Sequence, residues 1–320
     1  MKYSEVRGFN YQPSYGSTSF ENWMYFDPEI IELELRRGKE FFPVMNTVRL
    51  WLSWAAFVRD PQKFITDFEK SLQICDKLEL KVMPVLFNRW HNEFLDCGGI
   101  YIDHFMKGWS WLTREDQFSE YIKKLVGAHI QDERILAWDI CNEPFTYDKP
   151  LEEMKEIEEN EYLWLKSIYK RIKEVDSAST VGVSLHAGHG KKGLERVLPI
   201  SDILLIHPYF MAEQDNQKAK QEFYNLLDDY LEVSQKADKP LLVTETCWGS
   251  LDDQWRVENI KFTLRELKKR NIGWLAHALH YSLVADLHYS EDGPVGPPGN
   301  LAFIEKDGSL REGHGVFNKL

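Results

Sequence analysis

Short apolar runs, each too brief for a helix, recur along the whole chain with amphipathic stretches between them. The clearest covers residues 135–141 and is followed by Asn142-Glu143-Pro144. An almost unbroken apolar run of that length reads as a strand covered on both faces, the condition of a parallel sheet. Pro144 has no N–H to give a neighbouring strand, so the strand ends there. Comparable runs lie at 6–11, 42–51, 81–87, 180–185, 203–206, 240–246 and 272–279.

The stretches between them carry helix signals. Asp27-Pro28 and Asp60-Pro61 each place Pro at a first helical position behind a capping Asp. Phe64, Phe68, Leu72, Cys75 and Leu78 repeat at helical spacing, and Phe118, Ile122, Leu125 and Val126 do so after a Thr113 N-cap. Further helices are expected at about 152–175, 194–198, 218–236 and 253–270. Asp307-Gly308 reads as a hairpin turn. Eight strands alternating with helices, and no linker-like break, predict a single α/β domain over residues 1–320, a (β/α)8 TIM barrel. A doubly wound open sheet is the rival, but eight units and no GxGxxG after the first strand count against it.

Charge narrows the partners. A formal charge of −12 argues against nucleic acid and anionic membrane. No apolar run approaches the ~18 residues of a membrane span. No signal-peptide pattern precedes Tyr3, which predicts a cytoplasmic protein, or a secreted one if such a segment was removed. Cys75, Cys97, Cys141 and Cys247 form no CxxC pair, so zinc and redox motifs find no support and small buried hydrophobes are the expected role.

Barrel enzymes place their chemistry at the carboxyl ends of the strands. Two carboxylates sit there, Glu143 after the fourth run and Glu245 in the seventh. Either alone is as well read as an ordinary strand end. Together, on two strands of one barrel, they are the parts needed to cleave a glycosidic bond. The aromatic content, 11 Trp, 14 Tyr and 18 Phe, suits pyranose faces. Trp54, Trp90, Trp109, Trp111 and Trp248 lie on strand-end loops, where one or two would stack sugars and the rest would pack. His186 and His189 are weaker candidates, as metal ligands beside Glu143 or His207. No H-x-H follows the first strand, so no metal is expected. Residues 188–192 read as an ordinary loop rather than a phosphate cradle.

With these residues in place, the chain resembles the large clan of retaining glycoside hydrolases on (β/α)8 barrels, especially the cellulase-like family five. In that clan an Asn-Glu pair ends strand four and the nucleophile ends strand seven. The resemblance implies that Glu143 is the acid/base, Glu245 the nucleophile and Asn142 the group that binds the sugar 2-hydroxyl. It further implies that Arg49 lies beneath the nucleophile, that His207 and Tyr209 form the strand-six pair, and that Tyr209 hydrogen-bonds Glu245. Trp248 joins them as a sugar-binding candidate. Two positions depart from the pattern. Strand three ends in Asn88, with His91 three residues on, where the family has His. Strand eight presents His277 where the family has Trp, and Trp274 is expected to face outward. The implied substrate is a β-linked oligo- or polysaccharide, with no cofactor. A catalytically inactive sugar-binding barrel and a metal-dependent hydrolase are the alternatives. The loops at 88–113 and 281–300 are expected to wall the cleft, with a lean toward short substrates.

Overall fold

The computed structural model describes residues 1–89, 98–106, 116–146, 154–283 and 300–320. Eight parallel strands close into a barrel in sequence order: β1 (Arg7–Tyr11), β2 (Thr47–Trp51), β3 (Lys81–Asn88), β4 (Trp138–Asn142), β5 (Val181–His186), β6 (Leu204–His207), β7 (Leu241–Val243) and β8 (Gly273–Ala276). β8 returns to β1, pairing Arg7 with Trp274 and Phe9 with Ala276, so no sheet edge is left unpaired. Between the strands run α1 (Ser19–Met24), α2 (Pro28–Phe41), α3 (Trp54–Arg59), α4 (Pro61–Lys77), α5 (Asp116–Gly127), α6 (Met154–Val175), α7 (Gly190–Val197), α8 (Gln217–Ala237) and α9 (Asp253–Lys269). Among the described residues, no helix is long and apolar enough to cross a membrane.

Alternation along the strands sorts side chains into two layers. Val6, Met83, Ala137, Ile203, Leu205, Leu242 and Leu275 form a small plug inside the barrel. A much larger cluster fills the space between sheet and helices and includes Phe9, Val48, Val82, Ile140, Val183, Val243 and Trp274. Trp274 therefore faces outward as its alternation with His277 implies, and the Arg7 guanidinium lies 3.5 Å over its ring. One strand crossing is too close for a side chain: a Cβ on Gly8 would stand 2.0 Å from the Thr47 carbonyl oxygen.

Several boundaries differ from the sequence reading. β7 stops at Val243, so Glu245 stands two residues past the ladder. Ile135 makes only an isolated bridge to Val82, and β4 begins at Trp138. The short helices α1 and α3 were not anticipated. Their local signals are Thr18, whose side chain caps the Glu21 N–H, and Ser53, which caps that of Ala56. α7 starts at Gly190, earlier than expected, and takes residues 190–192 of the loop read at 188–192, while 188–189 lie in a 3-10 turn, Ala187–His189. The turn at Asp307-Gly308 is present: Gly308 has φ +84° and Ile304 pairs antiparallel with Leu310.

Candidate active site

The site grows from one buried cation. Arg49 lies on β2 with its side chain inside the barrel and fully buried. Its Nε and Nη2 donate to Asp139 Oδ2 at 3.1 and 2.8 Å. Nη1 donates to Asn10 Oδ1 at 3.0 Å and to Glu245 Oε1; Nη2 also reaches Asn142 Oδ1 at 2.8 Å and Ser184 Oγ at 3.0 Å. Strands β1, β2, β4 and β5 and the turn after β7 thus converge on one guanidinium. A buried charge persists only when paired and hydrogen-bonded. Burial works against the Arg49 charge, but Asp139 and Glu245 outweigh it and hold it protonated.

Glu245 is only 6 % exposed and is held at both oxygens. Oε1 takes Arg49, and Oε2 accepts the Tyr209 hydroxyl at 2.7 Å. His207 Nδ1 and His277 Nδ1 stand 3.6 and 3.9 Å from Oε2. Burial alone would raise this carboxyl, yet the positive charge around it, that of Arg49 included, keeps it below the ordinary carboxylate range. Burial, with Glu245 alongside, pushes the Tyr209 hydroxyl well up, so it stays a donor.

Glu143 follows β4 with φ +46°, and Phe145 has φ +63°. This left-handed turn around Pro144 takes the chain out of the strand, while the Glu143 N–H still bonds the Ser184 carbonyl at 3.0 Å. Its Oε1 lies 2.7 Å from His207 Nδ1, and His207 Nε2 lies 3.0 Å from Thr244 Oγ1. Burial pushes the His207 imidazole down to about 3, so the ring is neutral. For an ionised Glu143, the fitting tautomer carries Nδ1–H toward the carboxylate and accepts the Thr244 hydroxyl at Nε2. One oxygen of Glu143, one of Glu245 and a nitrogen of His207 all lie within 4.8 Å of one another.

The remaining candidates divide. Asn88 closes β3 and its Oδ1 accepts from Asn142 Nδ2 at 3.1 Å, which orients the Asn142 amide. Trp248 packs edge-on to Tyr209 at 5.1 Å and near-parallel to His277 at 6.5 Å. Trp54 opens α3 and packs on Phe118 at 5.0 Å. His186 is exposed and caps the Gly188 N–H, and His189 sits edge-on to Phe145. His91, Trp90, Trp109 and Trp111 fall outside the described residues, as does most of the two loops expected to wall the cleft. Sequence reasoning missed Trp51, whose ring covers Arg49 at 4.7 Å and meets His277 edge-on at 5.8 Å. It also missed Asn10, Asp139, Ser184 and Thr244. Their signal is a polar side chain at an inward position of an otherwise apolar strand.

The trio of Glu143, His207 and Glu245 has ligand types and spacing that a metal ion could use, but the Arg49 cation already occupies Glu245. A second such group, Glu69, His129 and Asp132, is filled by Arg134, which bonds both carboxylates.

The family model for "Cellulase (glycosyl hydrolase family 5)" matches residues 44–282, well over half of the chain. No curated protein sequence matches. Among solved structures, the exo-β-1,4-mannosidase Op5Man5 from Opitutaceae bacterium strain TAV5 is similar at 16 % identity and TM-score 0.71, covering 98 % of this chain and 58 % of its own. A GH5_18 protein from Bifidobacterium longum is similar at 16 % identity and TM-score 0.73, covering 98 % and 78 %. A β-glucuronidase from Bacteroides uniformis is similar at 16 % identity and TM-score 0.67, covering 99 % and 35 %. At these identities the likeness is one of fold, and the chain spans little more than half of the mannosidase and about a third of the glucuronidase.

Proposed function

The chain belongs to glycosyl hydrolase family 5, and from that premise we propose that it is a retaining β-glycosidase acting on β-linked oligo- or polysaccharides. Glu245 is the nucleophile and Glu143 the acid/base. The observation that carries this assignment is the difference between the two carboxyls. Glu245 is held ionised by Arg49 at one oxygen and Tyr209 at the other. Glu143 has a neutral imidazole at Oε1, which leaves Oε2 to exchange a proton with the leaving group.

Glu245 attacks the anomeric carbon as the glycosidic C–O bond breaks, and Glu143 gives its proton to the departing oxygen. The glycosyl ester on Glu245 is then cleaved by water, whose proton returns to Glu143 while Glu245 leaves as carboxylate. One oxygen of Glu143 and one of Glu245 lie within 4.8 Å of each other, which is compatible with the about 5–5.5 Å between the carboxyl groups of retaining enzymes. In this reading Asn142, whose amide is oriented by Arg49 and Asn88, binds the sugar beside Glu143.

The test separates the two carboxyls. Glu245→Ala loses turnover on every substrate. Glu143→Ala keeps the first step on aryl β-glycosides with good leaving groups, and added azide restores its second step, yielding the β-glycosyl azide. A β-azide from the Glu245 variant and an α-azide from the Glu143 variant would reverse the roles. The panel includes β-glucosides, β-mannosides and β-glucuronides. Binding of a sugar with no turnover of any of them would instead identify a sugar-binding barrel.

A further inference from the structure

Arg256 on α9 is wholly buried and lies outside the catalytic constellation. Among the described residues its hydrogen-bond partners are backbone carbonyls and one imidazole, not a carboxylate. Nε donates to Trp248 O at 3.1 Å; Nη1 donates to Ala302 O at 2.6 Å and to His314 Nε2 at 3.2 Å. Nη2 reaches Leu301 O at 2.5 Å, His277 O at 3.2 Å and Cys247 O at 3.4 Å. The flat guanidinium rests 4.6 Å over the Phe303 ring.

These carbonyls belong to three segments with no ladder of their own. β7 ends at Val243 and β8 at Ala276, so Cys247, Trp248 and His277 lie beyond the sheet, and residues 301–302 form a strap across β8's end. Buried carbonyls in such places require donors, and a guanidinium supplies five N–H groups in one plane. Cys247 also has φ +66°, a left-handed conformation that a non-glycine residue holds only when its surroundings insist.

Two of the three segments carry rings that flank Glu245. Trp248 packs against Tyr209, the donor to Glu245 Oε2, and against His277, whose Nδ1 is 3.9 Å from that oxygen. We propose that Arg256 is a positioning residue for the nucleophile, fixing the Trp248 and His277 backbones so that their rings hold Tyr209 and Glu245 in line. The proposal rests on the assignment of Glu245 above.

Arg311 provides the control. It clamps the same strap, donating to Asn300 O at 2.8 Å and Ala302 O at 3.1 Å, and it also reaches Ser250 O at 2.7 Å and Asp253. Its bonds do not include Cys247, Trp248 or His277. Arg256→Lys, Arg256→Gln and Arg311→Lys are compared in the full chain by Tm, by kcat and KM on an aryl β-glycoside, and by crystal structure. Expected is at least a ten-fold fall in kcat for Arg256→Lys with a shift of the Trp248 and His277 rings, while Arg311→Lys lowers Tm by a similar amount and keeps kcat within two-fold. Arg256→Gln, which keeps a planar pair of N–H donors and loses the charge, gives the same comparison of rings and kcat if the Lys variant does not fold. Unmoved rings, or equal kcat losses at the two arginines for equal Tm losses, would overturn the proposal. If the wild type cleaves no β-glycoside, the function proposed above fails, and the ring positions alone then decide the role of Arg256.

Discussion

At the residue scale, the site depends on few groups with many partners. Arg49 serves Asp139 and Glu245 at once, and Asp139, wholly buried, has its carboxyl raised by burial against the pull of Arg49. Removing one member of such a set strands a buried charge, which costs about 3–5 kcal/mol. Tyr209 offers a milder cut. Its hydroxyl is a single donor to an ionised carboxylate, and such a bond is worth about 1.5–3 kcal/mol. Tyr209→Phe is therefore expected to lower kcat/KM roughly 10- to 100-fold, at about 1.4 kcal/mol per ten-fold. The hydroxyl favours the charged form of Glu245, so losing it raises that carboxyl and moves the acid limb of the pH–activity profile upward. Steady-state profiles of the two proteins check this; an unmoved acid limb with unchanged kcat/KM would remove Tyr209 from the mechanism.

At the element scale, barrel closure is sensitive where strands cross closely. Gly8 on β1 sits against the Thr47 carbonyl and Leu275, and an added Cβ meets backbone there at 2.0 Å. Backbone in a closed ladder has no easy relaxation, so Gly8→Ala is expected to abolish soluble, cooperatively unfolding protein. Gly127 at the end of α5 is the counterexample, with only a Val175 methyl 3.7 Å from its would-be Cβ. Gly127→Ala is expected to stabilise by about 0.4–1 kcal/mol through the unfolded chain. Soluble yield checks the first and a thermal melt the second: a cooperative melt near the wild-type temperature for Gly8→Ala, or a lowered one for Gly127→Ala, would refute them. Most strands and long helices were legible because periodicity and capping are local: Asp27 and Asp60 cap α2 and α4 as their sequence neighbours imply. Less legible was where strands stop. Strand ends are set by where the partner ladder ends, so the apolar run at 240–246 looked longer than β7, the three residues Leu241–Val243.

At the scale of the whole molecule, two buried imidazoles far apart in the chain govern acid stability. Burial pushes both His207 and His314 down to about 3, with the Arg49 charge adding at His207 and the Arg256 and Arg311 charges at His314. The unfolded chain would titrate each near about 6.5. The unfolded state thus binds more protons between those values, so this stability is complete above pH ~6.5 and is lost as pH falls toward ~3. Each imidazole contributes a slope of about 1.4 kcal/mol per pH unit once the pH is well below ~6.5. Chemical denaturation from pH ~6.5 down to ~5 should show a slope rising toward the sum for the two imidazoles, about 2.8 kcal/mol per pH unit, and His314→Gln should remove about half of it; an unchanged slope would refute the assignment. The sequence by itself determined the alternation of strand and helix, the barrel class and the residue types at the strand tips, because burial on both faces writes an apolar run into each strand. It also placed Glu143, Glu245, Arg49, His207 and Tyr209 in an order that a family resemblance could use. Only the tertiary structure decided the wiring: Arg49 meets Glu245 across 196 positions of chain, and Asn10, Asp139, Ser184 and Thr244 join them through the barrel's register. A polar residue on an inward strand position is visible one strand at a time, but its partner is chosen by closure of the whole sheet.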